Sequence, residues 1–165
     1  MFIVDFDDTL FDTHSFKQEV NYLSGDLYAQ SDKIKNLLFS DSVSFLEFLK
    51  QTNQPLILLS LGESNFQKIK IDITGIDKFF DAVHITADAK ELAMSKILEE
   101  FKNEENIWFI NDKIEETKKV MRDFPGLKPI LKMSPRWPEE EYKLSLMPYF
   151  STLTDIQQYV EQQIK

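Results

Sequence analysis

The sequence predicts an α/β fold, a central parallel sheet of about five strands with helices on both faces. Two observations carry that expectation. Short apolar runs recur along the chain, at Phe2–Phe6, Pro55–Ser60, Ala82–Thr86, Ile107–Asn111 and Leu127–Met133. Between several of them lie segments whose apolar residues repeat at helical spacing. Strands alternating with helices pair in parallel, and the crossovers should be right-handed.

The first run ends abruptly, as Met1-Phe2-Ile3-Val4 gives way to Asp5-Phe6-Asp7-Asp8-Thr9-Leu10. An apolar run beside turn-type residues reads as a buried parallel strand followed by its loop. The next segment, 12–40, is longer than a simple loop should be and reads as a small cap-like insertion. Two short helices are expected in it: Phe16–Leu23, apolar at 16, 20 and 23, and Ser31–Leu38. Asp41–Lys50 is a helix on the pattern of Val43, Phe45, Leu46 and Leu49, with Ser44 and Glu47 at capping-box spacing. Lys90–Phe101 repeats Met94, Ile97, Leu98 and Phe101, and Glu115–Phe124 carries Val120 and Phe124 four apart. The prolines at 135, 138 and 148 make Met133–Pro148 an extended surface loop, and a helix over Thr154–Gln163 closes the chain.

At 165 residues the chain fits one domain, 1–165, large enough for a proper core. Hydrophobic content of 42% with 14 phenylalanines argues for a packed globule rather than disorder. The net charge of -9, from 19 basic and 28 acidic side chains, disfavours generic nucleic-acid binding. It leaves room for a phosphorylated substrate, because a metal ion and one lysine reverse the sign locally. The absence of cysteine excludes disulfides, thiolate metal sites and thiol nucleophiles. With no signal-peptide pattern and no apolar run long enough for a membrane, a cytoplasmic protein is expected.

Ligands of open α/β sheets bind outside the carboxyl ends of the strands, which places Asp5 and Asp7 where chemistry happens. Two carboxylates so close repel one another. A magnesium ion with hard oxygen ligands holds such a pair together, and so does a proton kept on one of them. Phosphoryl transfer through an aspartate nucleophile needs both.

Asp5-Phe6-Asp7-Asp8-Thr9 resembles the first motif of the haloacid dehalogenase (HAD) superfamily, Asp-x-Asp-x-Thr/Val after an apolar strand. The later motifs follow in order. Ser60, before Leu61 and Gly62, ends the next apolar run. For the motif lysine, Lys90 shares a helical face with Met94, Ile97, Leu98 and Phe101, whereas Lys96 points the other way. Lys90 is therefore chosen, with Lys96 in reserve. Asn111 and Asp112 end the fourth run, with Glu116 four residues on where the family usually has Asp. Gly75–Val83 is similar to the family's approach to its third strand.

The resemblance covers residues 1 to about 117 and implies a three-layer α/β/α Rossmann-like fold and a magnesium-dependent phosphohydrolase. By it, Asp5 attacks phosphorus, Asp7 is general acid and base, and Lys90 steadies Asp5. Ser60, Leu61, Thr9 and Phe6 belong to the phosphate-binding loops, and Asp5, Asp7 (through its backbone carbonyl) and Asp112 hold Mg2+. The family's dehalogenases lack an acid at the position of Asp7, and its cation pumps carry Lys there. One of the two acids, by this reading, is partly protonated near neutral pH. Glu116 is expected to be solvated or to support the site without binding metal; His14, His84, Arg136 and Trp137 are given surface or ordinary structural roles, and the acid run Glu139–Glu141 a solvated one. The substrate is a phosphorylated small molecule or macromolecule, met by a sparsely capped site. The alternative is a non-catalytic or regulatory binding protein that keeps the metal site.

Overall fold

The apolar runs form the strands β1 (Phe2–Val4), β2 (Leu56–Leu61), β3 (Ala82–Thr86), β4 (Trp108–Asn111) and β5 (Lys128–Lys132), and a sixth follows, β6 (Tyr149–Phe150). They lie in the order β3-β2-β1-β4-β5-β6, with every neighbouring pair parallel. The helices are α1 (Thr13–Glu19), α2 (Ser31–Lys35), α3 (Ser42–Gln51), α4 (Ser64–Thr74), α5 (Lys90–Glu100), α6 (Ile114–Asp123), α7 (Glu139–Ser145) and α8 (Leu153–Gln163). The computed structural model describes residues 1–24 and 26–164; Gly25, inside the expected insertion, and Lys165, at the end of the expected domain, lie outside the described residues. No described helix is long and apolar enough to cross a membrane.

Alternation along the strands makes the three layers, because successive side chains point to opposite faces. Phe2 and Val4 join Leu56, Leu58 and Ile110 in one core, which Leu46 and Leu49 of α3 and Ile156 and Val160 of α8 cover. Ile3 goes to the other side with Ile57, Leu59 and Phe109, under Met94 and Ile97 of α5 and Val120 of α6. With both faces covered, β1 and β4 are fully buried.

The sheet has six strands rather than about five, because a two-residue strand is too short to show in the apolar pattern. Backbone bonds place it: Leu131 N–H donates to the Pro148 carbonyl and Met133 N–H to that of Phe150, each at 2.8 Å. The expected loop Met133–Pro148 also contains α7. Pro138 stands at its N-cap, and Glu139–Glu141 fill the first turn, where carboxylates complement the helix dipole.

Other boundaries moved for identifiable reasons. The first insertion helix starts at Thr13, since the Asp12 carboxylate accepts the Ser15 N–H at 2.8 Å and caps it. The second stops at Lys35 because the chain then pairs back with the first loop: Asp12 N–H donates to Leu37 and Phe39 N–H to Leu10. The capping box of Ser44 and Glu47 does not form; Ser44 lies inside α3 and its hydroxyl bonds the Asp41 carbonyl. Helix α4 has no clean apolar stripe, because two of its buried residues are Gln67 and Lys70.

Candidate active site

Strand β1 lies between β2 and β4, so the loops leaving their carboxyl ends converge. This is the point where the strand order reverses direction, the usual crevice of such sheets. Asp5 follows β1 directly, and its N–H donates to the Ile110 carbonyl of β4 at 2.9 Å. Its carboxylate is buried, with Lys90 Nζ 2.5 Å from Oδ1 and Thr9 Oγ1 donating to Oδ2 at 3.2 Å. After Asp5 the chain turns sharply. Asp8 adopts φ 59°, and the N–H groups of Thr9, Leu10 and Phe11 all reach the Phe6 carbonyl, at 3.4, 2.9 and 3.1 Å. Aspartate tolerates this left-handed conformation better than most residues.

Lys90 opens α5 and is fully buried. Besides Asp5 it meets Glu116 Oε1 at 2.8 Å and Asn111 Oδ1 at 3.1 Å. Burial opposes its charge, but Asp5 and then Glu116 outweigh burial and raise its pKa, so the ammonium stays charged. Lys96, on the opposite side of the helix, is exposed. Glu116 accepts from Asn111 Nδ2 at 3.0 Å and lies 3.8 Å from Lys113 Nζ. It is thus the counter-ion of Lys90 and not a solvated helix residue.

Asp112, just after β4, is fully buried, and neither of its carboxylate oxygens has a hydrogen-bond partner among the described residues. Burial, then the charge of Asp5, pushes its pKa up to about 8. Burial also raises the pKa of Asp5, with Glu116 adding to it against the pull of Lys90. The buried hydroxyl of Ser60, in β2, likewise has no partner. At the converging strand ends, these unpaired oxygens are free to meet water or a bound group. An oxygen-liganded cation fits Asp5 and Asp112, and a phosphoryl group fits Ser60. No three His, Asp or Glu side chains converge on a metal position among the described residues. The remaining donors would be the Asp7 carbonyl and solvent.

Asp7 is the surprise. Its carboxylate accepts from Lys70 Nζ at 2.6 Å, Gln67 Nε2 at 2.6 Å and Thr13 Oγ1 at 2.7 Å. Burial would raise its pKa, but the Lys70 charge and these hydrogen bonds prevail and lower it. The carboxyl whose surroundings favour a proton near neutral pH is therefore Asp112, and not Asp7. The Lys70 ammonium sits about 5.3 Å from the centroids of Phe6, Phe11 and Phe66 and 5.4 Å from that of Phe16, with burial lowering its own pKa against the charge of Asp7. Rings facing a desolvated cation offset part of its lost hydration.

Gln67 and Lys70 were not foreseen. The available signal was their spacing of three in the segment directly after the Ser60 strand, which puts both on the helix face turned to the loop ends. Gly62 makes room for them: a Cβ there would lie 2.5 Å from Gln67 Nε2 and 2.8 Å from its Cγ. Gly62→Ala should lower unfolding free energy by about 1–3 kcal/mol, through that overlap and the strain of an L side chain at φ 157°. Thermal or urea unfolding of the variant checks this; a stability equal to that of the parent protein would rule out the clash.

Arg136 also turns inward, 2.7 Å from Asp8 Oδ2. Burial raises the Asp8 pKa while Arg136 opposes it. Tyr142 of α7 is buried, accepting the Ser134 N–H at 2.9 Å and donating to the Asp112 carbonyl at 3.3 Å. The proline-rich segment therefore braces the acidic end of the site. Leu61 ends β2, and its carbonyl accepts from Gln67 at 2.9 Å. His14 is exposed beside Gln18, and half-buried His84 lies 3.4 Å from Glu100, so neither pairs with Asp5, Asp7 or Asp112. Trp137 is partly exposed next to Lys113 and Glu116.

The raised pKa of Asp112 fixes a pH dependence. The folded state binds a proton that the unfolded chain releases near its ordinary carboxylate pKa, so the metal-free protein should lose stability as pH rises from about 4 to 8. A cation bound at Asp5 and Asp112 would flatten that slope and raise the melting temperature. Melting curves across this range, with and without Mg2+, test both statements, and a metal-free stability that rises toward pH 8 would contradict the assignment.

No family model and no curated protein matches the sequence. Solved structures do match over almost the whole chain. A HAD-superfamily hydrolase from Ehrlichia chaffeensis aligns with TM-score 0.68 and 16% identity, covering 99% of this chain and 97% of that one. A predicted phosphatase from Clostridium acetobutylicum gives TM-score 0.70 at 12% identity, over 98% and 97%. The L-2-haloacid dehalogenase RSc1362 gives 0.71 at 16%, over 97% of each chain. The chain has the fold of the haloacid dehalogenase superfamily.

Proposed function

We propose that this protein is a magnesium-dependent phosphomonoesterase of the HAD superfamily that works through an aspartyl-phosphate on Asp5. The observation that supports it most is the buried Asp5–Lys90 pair beside the unpartnered oxygens of Asp112 and Ser60. An Asp5 oxygen attacks phosphorus, and the ester oxygen departs with a proton from Asp7. Water then attacks the acyl phosphate, gives its proton to Asp7 and releases inorganic phosphate. Lys90 fixes the attacking carboxylate and offsets charge that grows in the transition state. Bound at Asp5 and Asp112, magnesium supplies further charge neutralisation for the phosphoryl oxygens.

Asp7 begins as an ionised partner of Lys70, so it takes up a proton when the phosphoryl dianion arrives beside it and raises its proton affinity. An acid here has a purpose in ester hydrolysis, where an alkoxide leaves, and little in dehalogenation. The same three-donor hold on Asp7 favours a second reading, a binding protein that keeps the site and turns over poorly. A panel of phosphomonoesters assayed with Mg2+ and with chelator separates the two. Magnesium-dependent phosphate release supports the enzyme. Tight ester binding without release supports the binding protein, and halide release from 2-haloacids would overturn both.

A further inference from the structure

Next to Asp7 lies a cavity of about 260 Å³ that the reaction above leaves unused. Three of its walls are aromatic. Phe16 and Tyr22 come from the insertion and stack with centroids 5.8 Å apart, while Phe66 of α4 meets both edge-on, at 5.9 and 6.4 Å. Tyr22 is 37% exposed, so the wall is reached from solvent. The Asp7–Lys70 pair, 2.6 Å apart, also lines the cavity, together with Lys17 and Glu63.

We propose that this cavity is the leaving-group subsite and that it selects phosphomonoesters of alcohols bearing a single aromatic ring. The inference rests on the phosphomonoesterase reading, because that reading makes Asp7 the group that protonates the leaving oxygen. Whatever is attached to that oxygen must then lie on the Asp7 side, where the aromatic walls stand. Edge-on and stacked ring contacts favour another ring over an alkyl chain of similar reach. A cavity of about 150 Å³ already holds benzene, so this one takes a ring and a short linker.

Benzyl phosphate and propyl phosphate test this, since both lose a primary alkoxide and differ mainly in the ring. The subsite predicts kcat/KM at least about tenfold higher for benzyl phosphate, a preference that Tyr22→Ala reduces to near unity and Tyr22→Phe retains. Tyr22 is exposed enough for both variants to fold. Hydrolysis of both esters at equal kcat/KM, or a preference that survives Tyr22→Ala, overturns the subsite and leaves the phosphatase reading standing. If neither ester nor any other is hydrolysed, the phosphatase reading fails, and calorimetry with benzylphosphonate and propylphosphonate decides the cavity alone. Tighter binding of the benzyl compound, lost in Tyr22→Ala, upholds it; equal binding overturns it.

Discussion

Asp5→Asn should reduce turnover of every phosphomonoester by about a thousandfold or more while the protein stays folded. A carboxamide has the volume of the carboxylate but neither its charge nor the ability to form the acyl phosphate, and losing a nucleophile is among the costliest changes an active site suffers. The fold should tolerate it for a particular reason. Lys90 keeps Glu116 at 2.8 Å and Asn111 at 3.1 Å, so its ammonium is not left alone. The site also becomes less crowded with negative charge. Asp5 is the largest charge acting to raise the Asp112 pKa, so that pKa should fall in the variant and the loss of stability between about pH 4 and 8 should become shallower. Steady-state kinetics with a phosphate-release assay, paired with melting curves on the same preparation, examines both effects. Near wild-type turnover in Asp5→Asn, free of contaminating phosphatase, would remove Asp5 from the mechanism.

Much of this arrangement is written in short stretches of sequence. The strands are legible because a strand covered on both faces must be apolar throughout, as Leu56–Leu59 and Trp108–Ile110 are. Phase along a helix is legible too. Lys90 at the head of the Met94–Ile97 face lands against Asp5, while Lys96 turns to solvent. What escaped was held by few residues or by groups far apart in sequence. A two-residue strand such as β6 has no period of its own and exists through backbone bonds to β5 and packing under α8. The proline-rich segment reads as a loop until Tyr142 is seen reaching 30 residues back to the Asp112 carbonyl.

The partners of Asp7 were hidden for a related reason. Lys70 and Gln67 lie 63 and 60 residues away, and a buried lysine or glutamine in a helix looks like a surface residue in the sequence. The Asp7 carboxylate and the ring of phenylalanines around the ammonium, drawn from three separate segments, together make the buried cation tolerable. The expectation that a carboxyl of the motif pair holds a proton came from repulsion between acids alone. A lysine delivered from another helix moves that proton away from Asp7.

Lys90→Met should lower kcat at least about a hundredfold and leave KM little changed, whereas Lys96→Ala should alter neither. Lys90 Nζ lies 2.5 Å from Asp5 Oδ1, and in the proposed mechanism its charge counts most when negative charge builds on the phosphoryl group, so its loss would fall on the transition state. Methionine keeps most of the stem and its packing against the Phe109 ring, which Lys90 Nζ now overlooks at 5.9 Å. The cost falls on Asp5 and Glu116, which remain buried without their cation, a situation worth about 3–5 kcal/mol of lost stability near neutral pH. The sign of the pH dependence follows. Both carboxylates gain proton affinity in the folded variant, so Lys90→Met should be most stable in acid and weaken as pH rises past the ordinary carboxylate range. A merely structural lysine would lower stability without separating kcat from KM. If Lys96→Ala proves the damaging variant, the phase of α5 assigned here is wrong. If neither variant slows turnover, the phosphoryl charge is balanced elsewhere, and Lys113, 3.8 Å from Glu116, is the next cation to replace.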